Sequence, residues 1–168
     1  MEIKSLTSLK GLENQCLSLL TDCVESGASV GFLTPSDNTE LTDYWLGVEA
    51  DLASNRRKLF AVFDTDKLVA CVQLSLCSKA NGKHRGEVEK LMVATSYRGQ
   101  GISKKLMLCL EREAVEMGLS LLVLDTRFGD IASSLYRAIG YIEAGHIPQF
   151  ALSSSGELEG TVLFYKLI

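Results

Sequence analysis

Tyr97-Arg98-Gly99-Gln100-Gly101-Ile102-Ser103-Lys104 stands between an apolar, strand-like run, Val88 to Val93, and a stretch from Ile102 to Met117 with helical spacing. A glycine-bearing turn that leads from a strand into a helix N-terminus binds anions. Glycines let the backbone turn sharply and approach closely, while the unpaired first-turn N–H groups and the positive end of the helix dipole face the ligand. Arg98 and Lys104 add charge for phosphate oxygens. On spacing alone, a plain turn fits equally well. Two familiar nucleotide cradles do not fit: a dinucleotide fingerprint needs a third glycine where Lys104 stands, and a P-loop needs Gly-Lys-Ser or Gly-Lys-Thr separated from its first glycine by four residues.

Downstream of this turn, Ile102, Leu106, Cys109, Leu110, Ala114 and Met117 share one helical stripe, and Gly118 follows in the position a helix C-cap prefers. Leu119 to Leu124 is a short apolar run suited to a strand buried on both faces. Ile131 to Ile139 returns to helical spacing before Gly140, and Tyr141 to Ile147 and Thr161 to Leu167 read as two strands joined through the turn-prone SSSGELEG. Upstream, Lys58 to Phe63 and Leu68 to Cys77 flank Asp64-Thr65-Asp66-Lys67 as an antiparallel hairpin, and Gly86 to Val93 reads as a third strand. The chain opens with two helices, Ser8 to Glu25 and Thr39 to Ala53, around the loop SGASVGFLTPSDNT. No repeat or low-complexity linker interrupts it, so residues 1–168 are expected to form one domain.

Composition narrows the functional classes. With 17 Lys and Arg against 21 Asp and Glu the net charge is −4, which offers no broad field for nucleic acid or anionic lipid. The apolar runs are too short to span a membrane, and the N-terminus lacks an apolar signal core, so the expectation is a cytoplasmic protein. The five cysteines, Cys16, Cys23, Cys71, Cys77 and Cys109, contain no C-x-x-C pair and read as reduced core residues. His84 and His146 lack ligand spacing, so no metal site is expected.

Arg98-x-x-Gly101-x-Ser103 resembles the R/Q-x-x-G-x-G/A pyrophosphate signature of the GNAT superfamily of acyl-CoA N-acyltransferases, with Ser in the last small-residue position. Asp125-Thr126 followed by Ala132-x-x-Leu135-Tyr136-x-x-x-Gly140-Tyr141 resembles that superfamily's second motif, with Gly129 where an Asn is frequent. Within the superfamily, the stretches Gly27 to Phe32, Gln73 to Cys77, Asn81-Gly82, Glu87-Val88, Lys90 to Val93 and Leu124 to Thr126 look like the tabtoxin-resistance acetyltransferases, which acetylate a small β-lactam toxin.

The resemblance covers the whole chain and implies a mixed α/β fold. Its central sheet would be mostly antiparallel, with about six or seven strands and about four flanking helices, splayed between the fourth and fifth strands. It further implies acetyl-CoA as co-substrate. Pantetheine would add to the splay along Leu91, Met92 and Val93, and the pyrophosphate would sit on Arg98, Gly99, Gln100, Gly101, Ile102, Ser103 and Lys104. A main-chain N–H of the same strand would hold the acetyl carbonyl. Ser26 to Thr34 and Gly145 to Phe150 would flank the acceptor, and the protein would be a homodimer.

Acetyl transfer to an amine faces a protonation problem, since an alkyl ammonium near pKa 10.4 is neutral in roughly one molecule in 2,500 at pH 7, a cost of about 4.6 kcal/mol. A base must take that proton. Glu87 and Glu89 share a strand face and Asp125 ends a neighbouring strand, so their carboxylates can converge. The resemblance favours Glu87 and Asp125 and places the Tyr136 hydroxyl near the departing sulfur. Two alternatives stay open beside transfer to a small amine, amino-acid-like or toxin-like acceptor: a catalytically silent acyl-CoA sensor, and a protein or peptide N-acetyltransferase.

Overall fold

The computed structural model describes residues 1–168 as one seven-stranded sheet with two helices packed on each face. The strands are β1 Glu2–Leu6, β2 Arg57–Asp64, β3 Lys67–Leu76, β4 Arg85–Val93, β5 Leu121–Arg127, β6 Ile142–Leu152 and β7 Leu158–Leu167. Their order is β1-β2-β3-β4-β5-β7-β6, antiparallel throughout except for the parallel β4–β5 pair. The mixed α/β fold with a mostly antiparallel sheet is therefore present as expected.

Alternation along the central strands sorts side chains between two cores. Phe60, Val62, Val72 and Leu74 point to the face covered by α3, Ile102–Glu116, and α4, Ala132–Ala138. Leu59, Ala61 and Cys71 point to the opposite face, under α1, Glu13–Glu25, and α2, Asn38–Ala53. Helix α3 buries Ile102, Leu106, Met107, Leu110 and Ala114, and Leu106 is wholly inaccessible. Truncating it to Ala would cost about 2–5 kcal/mol. Met117, placed on the same stripe by spacing, lies beyond the last helical turn and is exposed, whereas Gly118 takes the left-handed φ of +80° that ends the helix.

Three local expectations are corrected. The chain opens with strand β1 and not with a helix, because Gly11 at φ +81° breaks the backbone and α1 starts only at Glu13. Leu9 is buried all the same, from the loop before the helix. Strand β5 is buried on one face only: Leu122 and Leu124 enter the α3 core, while Asp125 on the other face is exposed. Strand β6 runs on past Ile147 to Leu152 as an edge strand, and it accommodates Pro148 at an irregularity between Ile147 and Ala151.

Candidate active site

Two departures from regular pairing open a cleft in the middle of the sheet. Strands β4 and β5 pair only at Arg85 with Leu121, Gly86 with Leu122 and Glu87 with Val123. Beyond Glu87 they separate, although β4 continues to Val93 and β5 to Arg127. On its other edge, β4 bulges: Gln73 pairs with Glu89 and Cys71 with Met92, so Lys90 and Leu91 oppose a single β3 residue. Lys90 carries the strain with φ +51°. A bulge twists and bends its strand, which turns the second half of β4 away from β5 and leaves backbone polar groups facing the gap. Leu91, Met92 and Val93 line the resulting cleft, a cavity of about 920 Å³.

At one end of the cleft lies the glycine turn. Gly99 and Gly101 have φ of +76° and +72°, and a Cβ on either would meet only open space, so backbone conformation is what requires glycine there. Gly101 caps α3 without any side-chain hydrogen bond, and Lys105 is the first residue whose N–H returns to the turn, 3.2 Å from the Gly101 carbonyl. The N–H groups of Ile102, Ser103 and Lys104 are thus left for a ligand at the positive end of the helix. Gly99, Gly101, Ile102, Ser103 and Lys104 line the cleft, and Gln100 does not. Arg98 lines it with its guanidinium engaged elsewhere: Nε donates to the Val93 carbonyl at 3.1 Å and Nη2 to Ser26 Oγ at 2.7 Å. In this conformation Arg98 braces the loop after α1 through Nε and Nη2, and its Nη1 has no partner within the chain.

The three candidate carboxylates differ in surroundings. Glu89 lines the cleft but is ion-paired to Arg57 at 2.8 Å, and Arg57 also bonds Asp51 and the buried Gln73. Glu87 sits at the last paired position of β4 and does not line the cleft. The side chain of Glu87 is exposed, yet partial loss of water around its carboxyl, then repulsion from Glu89 and Asp125, raises it above the usual range. Asp125 lines the cleft from β5, and Thr161 Oγ1 lies 2.7 Å from its Oδ2 and 2.9 Å from the Thr126 carbonyl, with one proton to donate between them.

Tyr136, on α4, is buried against Tyr141 and Phe164 and also lines the cleft. Burial foremost, then the charges of Asp130 and Asp125, pushes its phenol pKa upward, so it stays a protonated hydrogen-bond donor. Of the five cysteines only Cys23 lines the cleft, and burial foremost raises its thiol; burial likewise raises Cys16, to about 12, and Cys71 and Cys109. No group of three or more His, Cys, Asp or Glu side chains is arranged to hold a metal ion.

Ser26 to Gly31 and Phe150 also line the cleft, and Ser26 is bonded to Arg98 of the glycine turn. Of the residues that sequence reasoning missed, Arg127 does most to fix this loop. It contacts Glu159 at 3.4 Å, Asp130 at 3.5 Å and the Gly27 carbonyl at 3.3 Å, joining β5, β7 and the loop after α1. Only its place two residues after Asp125, on the same face of β5, was available as a signal.

The sequence model of the acetyltransferase (GNAT) family matches residues 18–141, a span that holds the bulged strand, the glycine turn, Asp125 and Tyr136. Among solved structures, the chain is similar in fold to the ribosomal-protein-alanine N-acetyltransferase from Brucella melitensis, at 20% identity and TM-score 0.83 with 100% of both chains covered. It is likewise similar to an N-acetyltransferase from Staphylococcus aureus Mu50, at 15% identity and TM-score 0.81 with 99% of each chain covered. A Salmonella typhimurium protein solved with its cofactor acetyl-CoA matches at 13% identity and TM-score 0.78, over 99% of this chain and 94% of that one. With the family model covering well over half of its length, the chain belongs to the acetyltransferase (GNAT) family.

Proposed function

We propose that the protein transfers an acetyl group from acetyl-CoA directly to the amine of a small acceptor. The observation that carries this is the continuity between the β4–β5 gap and the unpartnered amides of the α3 N-terminus in one cleft. An extended pantetheine arm fits beside Leu91 to Val93 as an added strand, and a pyrophosphate fits the Gly99 to Lys104 turn. The amine nitrogen attacks the thioester carbonyl, the new C–N bond replaces the C–S bond, and CoA leaves as a thiolate. A β4 backbone N–H stabilises the oxyanion in between.

Asp125 accepts the amine proton, directly or through water; Glu87, which does not line the cleft, takes part only through such a water. Glu89 is taken up by its ion pair with Arg57, which makes it the weaker candidate. Tyr136 donates a hydrogen bond to the leaving sulfur. Its raised pKa makes it a still weaker acid than a free phenol, so stabilisation and not full protonation is its role. A silent sensor would have no use for Asp125 and Tyr136 facing the same cleft. The resemblance to tabtoxin-resistance enzymes supports an amino-acid-like or toxin-like acceptor, and a cleft half-closed by Ser26 to Gly31 and Phe150 suits a small molecule better than a protein terminus. The test is a screen of free amines, amino acids, β-lactam amino acids and peptides for CoA release. Release with small amines is expected; release with peptides alone would move the acceptor to a protein, and tight acetyl-CoA binding without release from any acceptor would leave a sensor.

A further inference from the structure

Lys90 leaves β4 at the bulge and enters the acceptor end of the cleft with its charge unpaired. Its Nζ stands 5.4 Å from the Tyr44 ring centroid and 5.8 Å from that of Phe32. The ammonium forms no ion pair and no hydrogen bond within the chain; Glu89, its neighbour in sequence, is turned to Arg57, and Arg127 in the same cleft is taken up by Glu159 and Asp130. Gly31 passes over the ammonium, and a Cβ there would stand 3.4 Å from Nζ. Burial, more than any neighbouring charge, lowers the pKa of this lysine.

An ammonium withdrawn from water loses hydrogen bonds that must be replaced. The two aromatic faces offset part of that loss but accept no N–H. The Nζ donors therefore have no acceptor within the chain at a cleft that Lys90 lines, and the charges of Glu89, Arg57, Asp125 and Glu87 act on Lys90 without touching it. The acceptor end thus offers separate negative and positive poles, a pattern that complements a zwitterion.

Resting on the acetyl-transfer function above, we propose that Lys90 binds a carboxylate of the acceptor, and that the acceptors are amino carboxylates whose ammonium faces Asp125. A purely structural Lys90, holding the bulge against Phe32 and Tyr44, predicts something different: its loss would affect every acceptor alike.

The experiment uses α-amino acids, each paired with its carboxamide, and reads kcat/KM per neutral amine in the wild type, Lys90→Met and Lys90→Arg. The wild type is expected to favour carboxylates by about 10- to 100-fold, the scale of one charge-assisted hydrogen bond. Lys90→Met should bring that ratio towards one, and Lys90→Arg should retain it. A wild-type ratio near one overturns the proposal whether or not the variants fold, and so does a Lys90→Met protein that loses both activities equally. Should no compound be acetylated, the transfer function fails by itself, and calorimetric binding of the same pairs to the CoA-bound protein decides for Lys90. Tighter binding of amino acids that Lys90→Met abolishes upholds it; absence of that preference overturns it.

Discussion

Glu87, Glu89 and Asp125 look interchangeable as letters, and their neighbours make them different acids. Arg57 claims Glu89 across the sheet from β2, a contact between residues 32 positions apart that no local pattern announces. Asp125 and Tyr136 were legible because they fall in a motif, whereas Lys90 and Arg127 were not singled out, since their significance lies in which partners they lack or hold. Glu87 permits a prediction with a definite sign. Partial loss of water around its carboxyl and its acidic neighbours raise its folded pKa, so the native state holds that proton more tightly than the unfolded chain. Its stability contribution is complete below the unfolded carboxyl pKa of about 4.3 and is lost as pH rises through the folded value. Glu87→Gln should therefore melt above wild type at neutral pH, with the gap closing near about pH 4. Thermal melts at the two pH values check this, and a gap of the same size at both would refute it. For the reaction, Asp125→Asn should keep CoA affinity and lower turnover by about 10²-fold or more, while flattening the rise of rate with pH. Tyr136→Phe should also lower turnover at unchanged CoA affinity. Full activity in Asp125→Asn with loss in Glu89→Gln, read in the same steady-state assay, would move the base to β4.

The elements that position the cleft were legible to different degrees. The β4-turn-α3 unit could be read because glycine spacing and helical periodicity are local signals. Strand β1, Glu-Ile-Lys-Ser-Leu, could not: it is a short edge strand whose pairing with β2 spans some sixty positions, and it carries too few apolar residues for a pattern. The one-sided burial of β5 was hidden for a related reason, since a continuous apolar run does not say that its partner β4 parts from it after Glu87. The turn itself makes a graded prediction. Gly101→Val forces a β-branched residue to φ +72° and should weaken CoA binding at least about tenfold, whereas Arg98→Lys, which leaves the backbone amides in place, should cost far less. Calorimetric titration with CoA compares them, and equal affinities for both variants and wild type would remove the phosphate site.

At the scale of the molecule, the sheet is asymmetric. Strands β2 and β3 are covered on both faces, but β6 is exposed along nearly its whole length, with Ile142, Ile147, Phe150 and Leu152 open to solvent. No helix is long and apolar enough to cross a membrane. The resemblance to the tabtoxin-resistance enzymes implies a homodimer, so light scattering should give about twice the chain mass; a value near 18.3 kDa at micromolar concentration would reject a stable dimer. The central claim, that acetyl-CoA lies in the β4–β5 gap with its pyrophosphate on the α3 turn, is tested most directly by amide hydrogen exchange with and without acetyl-CoA. Protection concentrated at Leu91 to Val93 and Gly99 to Lys104 is the predicted result, and ligand-dependent protection that bypasses both segments would contradict it.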